Sequence, residues 1–106
     1  MIGLGISEKG IKILKYMFEK NDVVTSKELE INLELRQPEV SVILRDFCNR
    51  GWVDYEKVKK PGKGRPLHKY YLKASKEDIV NQLKKEFENE IKRLHKKMRE
   101  IEKIFA

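Results

Sequence analysis

Apolar residues recur near the start of the chain at helical spacing. Ile11, Leu14, Met17 and Phe18 fall on one side of a 3.6-residue repeat, which predicts a helix over Glu8–Lys20 with that stripe buried. Ser7 stands at its cap, and Ile6 and Ile11 bracket the cap as a hydrophobic staple. Asn21-Asp22 ends it, and Val23-Val24 reads as a very short strand. Thr25-Ser26-Lys27-Glu28 is a capping box: the threonine hydroxyl takes the third helical N–H and Glu28 reaches back. It opens a short helix over Ser26–Leu33, with Leu29 and Leu33 on one face and Val24 and Leu29 repeating the staple. After an interruption at residues 32–36, Pro38 suits the first turn of a third helix, where its missing N–H costs nothing. Val40, Leu44 and Phe47 follow at i, i+4 and i+7 as its buried stripe, and Gly51 closes it as a left-handed cap.

The period then changes. Val53–Val58 alternates apolar and polar as a half-buried strand does, and Leu67–Leu72 is its return strand. Between them, residues 59–66 hold two prolines and two glycines and read as a loop. Ser75-Lys76-Glu77-Asp78 is a third capping signature, opening a helix carried to Phe105, about 30 residues or ~45 Å long. Its stripe is Val80, Leu83, Phe87, Ile91, Leu94, Met98, Ile101 and Phe105, a heptad seam with a stutter at Leu83-Phe87-Ile91. Full burial is worth roughly 1.5–3 kcal/mol per large apolar side chain. Leaving eight exposed would exceed the stability of a small domain. The seam therefore predicts self-association, with Leu83, Phe87, Ile91, Leu94, Met98, Ile101 and Phe105 as the dimer interface. Parallel and antiparallel pairing both satisfy it.

Composition sharpens this picture. The 106 residues are 40% apolar and 39% charged, enough for one small core under a heavily charged surface. Lys plus Arg is 24 against 17 for Asp plus Glu, a net +7. Residues 57–73 contain seven basic residues and no acid, so the rest of the chain is balanced and the whole excess sits in one segment. So concentrated a field points to a polyanion. Cys48 is the single cysteine, which excludes an internal disulfide and fits a reduced compartment. With no apolar run near the roughly 18 residues of a span, and no leader-like start, the expectation is a cytoplasmic protein with no membrane association. The sequence carries no nucleophile–base set, no phosphate-binding loop and no metal cluster, His68 and His95 standing far from Cys48. An enzyme, a metal site and a cofactor are not expected.

Helix, short helix, turn, helix, hairpin and long helix is the order of a winged helix-turn-helix: mainly α with a small β-hairpin. The expected organisation is a DNA-binding domain over residues 1–74 and a coiled-coil dimerisation helix over 75–106. In such a domain the second helix of the helix-turn-helix enters the major groove. With Val40, Leu44 and Phe47 inward, Arg36, Gln37, Glu39, Ser41, Val42, Arg45 and Asn49 point outward. Gln37 suits adenine, Arg45 guanine and Val42 a thymine methyl, so these three are the candidate base readers. Arg36 and Ser41 are candidate phosphate contacts at the positive helix N-terminus, and Glu39 either reads cytosine N4 or, the preferred role, complements the helix dipole. In the loop, Lys59, Lys60 and Lys63 neutralise phosphates, and Arg65, stiffened by Pro66, suits a narrow minor groove. Trp52 is expected to anchor the hairpin to the core, and Cys48, beside inward Phe47, to be inert.

Leu35-Arg36-Gln37-Pro38-Glu39-Val40-Ser41-Val42-Ile43-Leu44, then Gly51-Trp52-Val53, Gly64-Arg65-Pro66 and Tyr70-Tyr71-Leu72, resemble small archaeal and bacterial winged-helix transcription regulators of the ArsR-like, MarR-like and TrmB-like groups. The resemblance covers residues 7–73, and the last helix looks like the dimerisation helix of such regulators. It implies binding to double-stranded DNA but specifies neither operator nor effector. Two departures stand out. ArsR-like metal sensors carry paired thiolates where this chain has only Cys48, and the further sugar-binding domain of TrmB-like proteins is not expected after Ala106. The function these readings imply is a sequence-specific regulator acting as a homodimer, its two recognition helices in successive major grooves about 34 Å apart. The alternatives are an interaction module docking on transcription machinery and a nonspecific chromatin protein.

Overall fold

A computed structural model describes residues 6–58 and 67–105. Among these the chain forms α1 (Glu8–Lys20), α2 (Ser26–Leu33), α3 (Gln37–Asn49), β1 (Val53–Val58), β2 (Leu67–Leu72) and α4 (Lys76–Phe105). One compact unit spans Glu8–Ser75, and α4 belongs to a second.

Within the first unit, α2 packs on α1 and α3, α3 on β1, and β2 on α1 and α2. Ile13, Met17, Val24, Leu29, Val40, Leu44, Phe47, Trp52 and Val53 are buried there. In α1 the buried positions are Gly10, Ile13 and Met17. The stripe expected through Ile11 is displaced: Ile11 is 52% exposed, while Leu14 and Phe18 are half-buried. The apolar arc of this helix is broad, so two adjacent stripes satisfy the same period, and contact with α2 and β2 selects the one centred on Ile13.

The helix ends follow local chemistry. Asn21 takes a left-handed conformation (φ 51°) and its N–H donates to the Met17 carbonyl at 3.0 Å, closing α1. Val24 makes a two-bond bridge with Tyr70, donating at 2.9 Å and accepting at 2.7 Å, so the expected short strand is a single residue laid against β2. Thr25 caps α2, its hydroxyl accepting from the Glu28 N–H at 3.1 Å. The Glu28 carboxylate also ties α2 to α1, accepting from the Tyr16 hydroxyl and the Lys20 ammonium, each at 2.6 Å. Glu34 ends α2 in the left-handed region (φ 54°), and its N–H donates to the Glu30 carbonyl. Three residues, Glu34 to Arg36, then turn the chain into α3.

The C-terminus of α3 aims the hairpin. Gly51 (φ 79°) donates to the Cys48 carbonyl at 3.1 Å and Trp52 to the Phe47 carbonyl at 3.0 Å, the paired bonds of a Schellman motif. The hydrophobic contact that accompanies such a cap is Trp52 on Phe47, ring centroids 5.4 Å apart. The Trp52 carbonyl accepts from the N–H groups of Lys73 and Ala74 at 2.8 and 3.2 Å, so this residue clamps both ends of the hairpin, the anchoring role expected of it. β1 and β2 pair antiparallel from Val53↔Leu72 to Val58↔Leu67.

α4 is a continuous helix of 30 residues with Ile79 as its buried residue. Along the expected seam Leu83 is half-buried, while Phe87 to Phe105 are 40% to 84% exposed.

Candidate nucleic-acid interface

α3 begins with Arg36 in extended conformation at the N-cap and a proline in its first turn. An arginine has no acceptor, so it cannot cap α3 through its side chain. Glu39 supplies the cap instead, accepting from the Arg36 N–H at 3.3 Å. Glu39 also pairs with Lys9 of α1, so its carboxylate is engaged at the helix end and with α1. The Arg36 side chain remains exposed beside the positive end of α3, a favourable place for a phosphate oxygen.

Each residue turns the helix by about 100°. Val40, Leu44 and Phe47 face the core, and Val42, Arg45 and Asn49 lie opposite them. Val42 is 63% exposed, leaving an apolar spot in the middle of this outward face. Gln37 and Ser41 lie on its flank and meet one another, the Gln37 amide donating to the Ser41 hydroxyl at 2.8 Å. That contact orients the amide and ties together two residues expected to act separately. On the opposite flank Asp46 pairs with Arg50 at 3.1 Å. Arg50 also lies over the Trp52 ring, 4.7 Å from its centroid, so its charge stays at the α3–hairpin joint.

Two positions of the outward face have no expected contact. Pro38 is exposed four residues before Val42, and Asn49 is exposed four residues after Arg45. The sequence places Asn49 outward without a role. The i, i+4 spacing to Arg45 is the signal that places it in the same row.

In the hairpin, strand alternation puts Tyr55, Lys57, His68 and Tyr70 on one face. Three of these are rings packed on one another, two pairs tilted and one edge-on: Tyr55 to His68 at 4.7 Å, Tyr55 to Tyr70 at 5.5 Å and His68 to Tyr70 at 6.1 Å between centroids. They stiffen the stem that carries the loop. On the other face Glu56 lies opposite Lys69 and Asp54 opposite Tyr71. Lys59, Lys60, Lys63 and Arg65, the expected phosphate and minor-groove contacts, lie outside the described residues.

Burial, with the nearby Asp54 carboxylate, pushes the Cys48 thiol up from its ordinary value, which disfavours the thiolate that a reactive cysteine needs. Among the described residues no group of three or more His, Cys, Asp or Glu side chains is placed to hold a metal ion. No helix among them is long and apolar enough to cross a membrane.

The sequence model of one protein family, described as the TFIIE alpha subunit, matches residues 1–103. Among solved structures, a possible transcriptional regulator from Methanosarcina mazei superposes with a TM-score of 0.69 at 17% identity, covering 92% of this chain and 80% of that one. A transcriptional regulator from Thermotoga maritima gives 0.57 at 16% identity, covering 95% and 70%. A MarR-family transcription regulator gives 0.56 at 19% identity, covering 97% and 74%. Comparison with curated proteins gives no match. At these identities the likeness is one of fold: mainly helical, with a two-stranded wing and a long last helix, as the element order predicts.

Proposed function

Given that the chain belongs to the TFIIE alpha subunit family, we propose that it is a transcription regulator that binds double-stranded DNA sequence-specifically as a homodimer. The observation that carries this reading is the outward face of α3, where Val42, Arg45 and Asn49 stand exposed directly opposite the core stripe. The helix begins beside Arg36 and ends in a hairpin that carries the chain's excess of positive charge. α3 enters the major groove, with Arg45, Val42 and Gln37 against base edges. Arg36 and Ser41 fix its register on the backbone. Lys59, Lys60, Lys63 and Arg65 of the wing grip flanking phosphates and the minor groove. α4 supplies the self-association that repeats this unit on a two-fold symmetric site.

The test is selection of bound sites from random duplexes, followed by titrations on the selected site and on random DNA. Arg45→Ala or Gln37→Ala is expected to lose about 10- to 100-fold discrimination at one base pair, the worth of a good bidentate contact. Affinity for random DNA changes little. Lys60→Ala or Lys63→Ala weakens both duplexes alike and lowers the salt slope by about 0.9 each. A flat salt dependence, or four variants that behave alike on both duplexes, contradicts the proposal.

A second reading, docking on transcription machinery, is favoured by one specific observation. α3 carries Arg45 against Glu39 and Asp46, a net −1, with exposed Val42 at its centre, which is a face also suited to protein. Under that reading no duplex is selected over another at moderate salt.

A further inference from the structure

α4 is charged asymmetrically along its length. Residues 76–91 carry three lysines against five carboxylates, a net −2, and residues 92–105 carry six cations against two carboxylates, a net +4. The backbone macrodipole, about half a charge at each end, is too small to cancel this. The heptad seam runs through both halves, and from Phe87 onward its side chains are 40% to 84% exposed.

We propose that α4 pairs with α4 of a second copy in antiparallel orientation. This rests on the homodimer of the preceding subsection and adds its direction and register. In a parallel pair each seam residue meets its own counterpart. The two +4 halves then lie side by side. Continued through the stutter, the regular heptad puts Lys84 in the seam three residues before Phe87 and moves Leu83 to its flank, so Lys84 meets a second Lys84. One favourable flank, Lys97 with Glu102, stands against both repulsions. In the antiparallel pair the acidic half of each helix lies along the basic half of the other.

Charge also selects the register. With the two-fold axis between Lys92 and Arg93, Ile91 faces Leu94 of the second copy, Phe87 faces Met98 and Lys84 faces Ile101. The aliphatic stem of Lys84 covers Ile101 while its ammonium reaches water. Glu90 then flanks Lys97 on both sides of the axis. The next antiparallel register that keeps the seam closed sets Lys97 against Lys97 and Glu88 against Glu102, so it is disfavoured.

The test uses the full chain with Cys48→Ser and Lys103→Cys, nitroxide-labelled at residue 103, an exposed position off the seam. Sedimentation of the unsubstituted chain accompanies it. In the antiparallel pair the labels stand about 30 Å apart along the helix axis, at 1.5 Å per residue. A dimer mass with a pulsed dipolar distance beyond the width of two helices supports the proposal. In a parallel pair the labels sit at the same height, and a distance within about 20–24 Å overturns the antiparallel direction while leaving the homodimer standing. A monomer mass for the unsubstituted chain overturns both, the seam then being a seat for a different protein.

Discussion

Gly51→Ala separates conformational strain from steric fit at the joint between α3 and the wing. A methyl group built at Gly51 meets nothing within 4 Å, so no clash accompanies the change. The backbone sits at φ 79°, a conformation that costs a side-chain-bearing residue about 1–2 kcal/mol. The whole penalty is therefore conformational. For a domain of 60–100 residues, about 1 kcal/mol lowers Tm by 4–8 °C, so Gly51→Ala is expected to lose on the order of 5–15 °C. Gly51→Asn is expected to lose clearly less, because asparagine tolerates the left-handed region. Both keep the bonds from residues 51 and 52 to the Cys48 and Phe47 carbonyls only by holding that conformation. The assay is thermal unfolding by circular dichroism at one fixed protein concentration, since the self-association proposed for α4 would make Tm concentration-dependent. A shift under about 2 °C for alanine, against the roughly 4–8 °C per kcal/mol expected, refutes the reasoning. So does an asparagine variant as unstable as the alanine one.

Three more predictions concern the same unit. Burial raises the Glu28 carboxyl pKa, but hydrogen bonds from Lys20 and Tyr16 outweigh it, leaving the pKa below its ordinary 4.5. The stabilisation from Glu28 is thus complete above that value and is lost as pH falls through the lower, folded one. The stability gap between wild type and Glu28→Gln, read by urea unfolding, is expected to be constant from neutral pH to about 5 and to shrink below about 4; a gap unchanged at low pH contradicts the assignment. Phe47→Ala removes a ring that is 1% exposed and packed on Trp52, at an expected cost of about 3–5 kcal/mol in the same assay. Val42→Ala on the opposite face of α3 is expected to stay within about 0.5 kcal/mol.

Much of this fold is legible from local chemistry. The bounds of α1, α2, β1 and β2 follow from caps, turn residues and the change of period from 3.6 to 2. The core stripe of α3 is legible because Val40, Leu44 and Phe47 are the apolar residues on a narrow arc. The stripe of α1 is not, since Ile11, Ile13, Leu14, Met17 and Phe18 form an arc wide enough for two solutions. The turn from α2 to α3 reads only as an interruption, because Glu34 rather than glycine takes the left-handed position. In the candidate site, the outward residues of α3 are legible from the helical period. The Gln37–Ser41 contact and the seat of Arg50 on Trp52 are not, because each depends on rotamers chosen by neighbours.

From the sequence alone come the elements, their order, the concentration of positive charge in residues 57–73 and the seam of α4. These rest on interactions between residues a few positions apart, which the chain carries wherever it folds. Only the tertiary structure decides which of two apolar stripes α1 buries. It also joins Val24 to Tyr70 across 46 positions and turns the Glu28 carboxylate onto Tyr16 and Lys20. Those outcomes depend on which surfaces meet when helices and hairpin close on one another, and no local period encodes that.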